Sequence, residues 1–131
     1  MARSFPFALV LLVIGSSVSA SRQARRVTGF FTDFTYNSEG DIGGAEVFIS
    51  YALVNNGLNE RYYAYVQIAE GVPLAPQLVP VTVEDNRITF RLADPYADVS
   101  PFTGIVTRDS LIGHFTNGWE LHLPRRPSYW H

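Results

Sequence analysis

The sequence predicts an all-β protein: a single-domain antiparallel up-and-down meander of about eight strands, forming a small barrel or coiled half-barrel after an N-terminal signal helix. Three observations predict it. Phe102–Leu123 reads as three short strands in succession, with Asn117-Gly118 set between two apolar runs, a strong hairpin signal. Val79–Leu92 reads as a second hairpin with an equally clean apolar face. No stretch carries the 3.6-residue periodicity of an amphipathic helix of useful length.

From the N-terminus, Arg3 precedes an apolar run over Phe7–Gly15, and Val18 and Ala20 suit cleavage after Ala20. The run is shorter than the roughly 20 residues that span a bilayer, so no stable membrane span is expected. Arg22, Arg25 and Arg26 follow directly and run against that reading, because basic flanks normally stay cytoplasmic. The expected organisation is a signal peptide over 1–20, a flexible basic tail over 21–26, and one barrel-like domain over 27–131. The expected location is periplasmic or secreted.

The chain has no cysteine, which removes thiol catalysis, thiolate metal sites and a lipoprotein anchor. The ten basic residues are all arginine, as a GC-rich genome would give, and no Asn-x-Ser/Thr acceptor occurs. These features favour a bacterial exported protein. A net charge of −2 and the absence of a continuing basic stripe argue against nucleic acid as a partner.

Val27–Tyr36 reads as the first strand, with Phe30 and Phe34 facing one way and Phe31 the other, so that both faces are covered. Glu39 and Asp41 lie in a loop too sparse in oxygen ligands for calcium and read as a polar turn. Gly44–Leu53 and Arg61–Ala69 alternate as strands, and the proline-rich Glu70–Leu78 joins them to the next hairpin. There an Asp85-Asn86 turn pairs Val83 with Ile88, Val81 with Phe90 and Val79 with Leu92. In the last hairpin a three-residue loop with Gly118 left-handed gathers Leu111, Phe115, Trp119, Leu121 and Leu123 on one face. Any one-residue slip would mix the faces. Upstream, Gly104 faces Gly113, a thin spot useful where a sheet coils sharply or a large side chain packs in. The aromatic tail, Arg125–Trp130, is expected to fold back and cap an open end of the sheet.

Candidate chemistry is sparse. In the chosen register His114 sits opposite Glu120 with His122 diagonal, and two imidazoles and a carboxylate are a possible metal set. Diagonal neighbours are about 7–8 Å apart, wide for one ion, and a polar outer ladder is the plainer reading. Ser100, Ser110 and Ser128 lack nucleophile-elbow glycines. Asp33, inside an aromatic strand, reads as a hydrogen-bonded structural carboxylate. Tyr63, Tyr65 and Trp130 are candidates for a ligand or partner surface.

The run F-x-G-x-V from Phe102, L-x-G-x-F-x-N-G from Leu111 and L-P-R-x-x-S-Y-W from Leu123 resembles small exported bacterial β-meander proteins of uncharacterised function. The resemblance implies export and a meander and carries over no activity. Gly29-Phe30-Phe31 is similar to the G-x-W opening of lipocalins and avidins, with phenylalanine in place of their tryptophan. The functional expectation is an exported, non-catalytic binding or interaction module without a cofactor, its partner a small apolar ligand or an envelope protein. The alternatives are a metal-dependent enzyme using the hairpin histidines and a structural envelope-associated protein.

Overall fold

The computed structural model describes residues 22–24 and 26–131, so the expected signal peptide lies outside the described residues. Nine antiparallel strands form one sheet: β1 (Gly29–Thr32), β2 (Thr35–Tyr36), β3 (Ile42–Val54), β4 (Asn59–Gly71), β5 (Gln77–Glu84), β6 (Arg87–Phe90), β7 (Phe102–Val106), β8 (Ser110–His114) and β9 (Glu120–Pro124). Each strand from β3 onward pairs with the next in sequence, and β1 and β2 both pair with β3. The sheet curls into a nearly closed barrel around a core that includes Phe31, Val47, Ile49, Ile88, Phe102, Leu111, Phe115 and Leu123.

The expected first strand is split into β1 and β2. Asp33 breaks it by placing its own Oδ1, rather than its carbonyl, on the Ala45 N–H at 2.7 Å. Phe31 faces the core, whereas Phe30 stacks on Phe48 outside, with ring centroids 4.3 Å apart. Ahead of β1, residues 22–24 and 26–27 are helical, Ala24 packs against the core and Val27 is fully buried. The domain's packing therefore reaches back into the basic segment.

Both predicted hairpin registers are present. Val81 faces Phe90, Val83 faces Ile88, and Glu84 faces Arg87. His114 faces Glu120 and Leu111 faces Leu123, and the loop between them is closed by the Phe115 N–H donating to the Trp119 carbonyl at 2.9 Å. Gly118 has φ +86°. Gly104 pairs with Gly113, and the Phe102 ring lies against both, where an added Cβ would collide with it. The Val79–Leu92 rung does not form in the ladder, which stops at Val81–Phe90. Leu92 gives its N–H to Ser100 Oγ at 2.9 Å, and Ala93 gives its own to Gln77 Oε1 at 2.7 Å, so the chain leaves the sheet there.

The two ends of the meander meet at a seam between β1 and β9 through a single backbone bridge, Phe31 to Arg125. The Arg125 side chain does most of the joining. Its guanidinium donates to the carbonyls of Thr28 (2.5 Å), Arg26 (2.7 Å), Arg108 (3.0 Å) and Thr107 (3.2 Å). It also lies over the Phe31 ring, 4.5 Å from the centroid. Burial pushes its pKa below the usual value, with Asp109 pulling the other way.

The tail turns back after Arg125, but across the outer face of β3 and β4 rather than over an end of the sheet. Ser128 Oγ donates to Glu46 Oε1 at 2.6 Å and the Tyr129 N–H to Glu46 Oε2 at 2.8 Å. Phe34 receives the edges of Tyr129 and Trp130. The reason is Glu46: it is 4% exposed on the outer side of β3, and the tail supplies its donors.

These contacts give four expectations. Phe115→Ala should cost about 3–5 kcal/mol as a fully buried aromatic, and His122→Ala should stay within about 0.5 kcal/mol. Gly118→Val should cost about 1–2 kcal/mol through its backbone alone, since a Cβ there meets nothing within 4 Å. Arg125→Lys should lose about 2 kcal/mol or more, because an ammonium cannot reach four carbonyls in a planar fork. Denaturant unfolding of the four variants measures each value.

Candidate functional site

The fold disperses most of the residues singled out by sequence. His114, Glu120 and His122 are exposed on the outer side of the last hairpin, and His122 sits opposite Ile112. Among the described residues no group of three or more His, Asp or Glu is placed to hold a metal ion. Asn37 Oδ1 accepts from the N–H groups of Glu39 and Asp41, making the polar turn. Ser100, Ser110 and Ser128 spend their hydroxyls on Leu92 and Tyr96, on Thr107, and on Glu46.

Tyr63 and Tyr65 lie on the outer face of β4, and Trp130 joins them there, its Nε1 donating to Gln67 Oε1 at 2.8 Å. Across this face the register lines up Phe30, Phe48, Tyr65 and Leu78 in one row, with Leu78 71% exposed.

A different place has the shape of a binding site. Where β5 parts from β6, a cleft of about 560 Å³ opens at one mouth of the barrel. Its floor is core: Val66, Ile68, Val79 and Leu92 are inward-facing and buried. Leu74, Ala75 and Pro76 form one rim and Ala93–Tyr96 the other, and Asp94 is the one charged residue in the lining. Gln77 fixes the far rim by bonding both the N–H and the carbonyl of Ala93. Alternation along β5 and β6 placed the floor residues inward, but the parting of the strands came from side-chain bonds that no periodicity records.

Tyr96 is the polar feature of this mouth. Its ring lies 5.9 Å from that of Trp119, which in turn stacks on Phe115 at 4.9 Å. Its hydroxyl is buried and lies beside the Glu70 carboxylate. Burial, and secondarily the neighbouring Glu70 carboxylate, pushes its pKa up to about 12. Such a group is neutral at ordinary pH.

The shift has a measurable consequence. The unfolded tyrosine titrates near its ordinary value of 10.0 and the folded one at about 12, so the folded state keeps the proton longer. Stability from this group is complete below about pH 10 and is lost as pH rises through about 12. Tyr96→Phe should therefore flatten the fall in unfolding midpoint over that range. A residual slope should remain from Tyr51 and Tyr62, whose pKa values are also raised, first by burial and then by Glu60. Denaturant midpoints measured across that pH range test it. The chain matches no protein-family model, and no curated protein or solved structure matches it.

Proposed function

We propose that this protein is an exported, non-catalytic binding module that holds a small apolar ligand in the mouth of its barrel. The observation that carries the reading is the cleft of about 560 Å³, floored by core side chains and edged by Tyr96. Ligand pockets of this kind are largely apolar, commonly about 300–1,000 Å³, and orient their contents with a few polar groups; barrel mouths are a favoured place for them. The ligand class that fits is a small apolar body. Export is supported by the apolar run Phe7–Gly15 and the small residues before Ser21.

A second reading, an interaction module for an envelope protein, draws support from the row Phe30, Phe48, Tyr65 and Leu78 on the outer sheet. The cleft, floored by buried core side chains, supports binding more directly than this sheet face does.

The test is a fluorescence titration with prodan, an apolar fluorophore with one ketone acceptor. A single saturable site is expected. Leu74→Trp, which fills the cleft from its rim, should abolish binding with the melting temperature unchanged. Failure to saturate, or equal binding by Leu74→Trp, would remove the reading.

A further inference from the structure

The barrel's other end is built from different chemistry. The Asp85-Asn86 turn, the Thr107–Asp109 turn, the helical segment before β1 and the end of β9 converge there. Between them lies a cleft of about 600 Å³ lined by Arg26, Asp85, Asn86, Val106, Thr107, Arg108 and Arg125. A smaller hollow of about 260 Å³ beside it shares Arg26 and Asp85 and adds Arg22 and Gln23. Four arginines thus surround a recess whose lining holds one carboxylate, Asp85.

Asp109 offsets part of that charge at Arg125, and the remainder is little compensated among the described residues. Among the described residues Arg26–Asp85 is the one ion pair, at 3.7 Å with side chains 65% and 83% exposed, a geometry worth little. Arg125 is locked in place by four backbone carbonyls and forms no ion pair among the described residues. Arg108 contributes its carbonyl to that lock, and its side chain makes no hydrogen bond or ion pair among the described residues.

We propose that this cleft is a site for a phosphate-class oxyanion, held between Arg26 and Arg108 over the fixed charge of Arg125. Guanidinium forks match the paired oxygens of a phosphoryl group and form charge-assisted bonds to it. A site with one carboxylate against several arginines is better matched by a dianion than by a single carboxylate. The recess exceeds one phosphate in size, so it fits a phosphoester, either a soluble one or the headgroup of an anionic lipid. It lies at the opposite end from the apolar mouth and stands or falls independently of it.

The test has two arms. Isotope-labelled protein titrated with inorganic phosphate at constant ionic strength should show saturable amide shifts confined to Arg26, Asn86, Thr107 and Arg108. Arg108→Gln should weaken this by about tenfold or more with the fold intact. Arg87→Gln, on the outer sheet opposite Glu84, should change nothing. Flotation with phosphatidylglycerol and phosphatidylcholine vesicles separates the sources. Arg108-dependent flotation with phosphatidylglycerol alone identifies a lipid headgroup, and phosphate saturation without flotation identifies a soluble phosphoester. Absence of both, or any binding that Arg108→Gln leaves unchanged, overturns the proposal.

Discussion

One guanidinium decides whether this sheet is a ribbon or a barrel. Apart from the single Phe31–Arg125 backbone bridge, β1 and β9 would be two free edges, the condition that invites pairing with other chains. Arg125 removes it by donating to four carbonyls contributed by the segment before β1 and by the β7–β8 turn. Burying a cation is costly unless it is hydrogen-bonded. Here the four carbonyl dipoles and the Phe31 face offset that cost, while the guanidinium stays charged at any accessible pH. Gly29 completes the arrangement, since a Cβ there would stand 2.8 Å from Arg125 Nη1.

The seam also sets the path of everything after it. Once Arg125 is fixed beside Phe31, the Arg126 N–H donates to the Phe30 carbonyl at 3.3 Å and the chain is directed across β3. There Glu46 takes its two donors from the tail, and Phe34, turned outward beyond the break at Asp33, receives the two terminal aromatics. An outward carboxylate and an outward phenylalanine would each be unfavourable alone. The tail resolves both, so outer and inner faces are packed on this side of the barrel.

Much of this was legible where side chains repeat with a period of two. Leu111, Phe115, Trp119, Leu121 and Leu123 admit one register, and Val81, Val83, Ile88 and Phe90 admit another, because a slip would expose every one of them. The facing Gly104 and Gly113 left either a sharp coil or a large neighbour open, and the Phe102 ring lies against both. What periodicity does not carry is a side chain replacing a backbone group. Asp33 accepting in place of its carbonyl, Gln77 and Ser100 drawing Leu92 and Ala93 off the ladder, and Arg125 bridging a seam are all of that kind. The apolar mouth and the arginine-lined cleft are both products of such substitutions. The histidines and tyrosines that look chemical in the sequence lie instead on the regular outer faces.

The closing contacts have a consequence for the order in which the molecule is assembled. Arg125 reaches Thr28 and Arg26 across sequence separations of 97 and 99 residues, whereas each hairpin closes locally. Without residues 125 and 126 the sheet has two unjoined margins. Contacts of such long separation are slow to form. The hairpins can therefore form from neighbouring residues alone, whereas closure of the barrel needs β1 and residues 125 and 126 together.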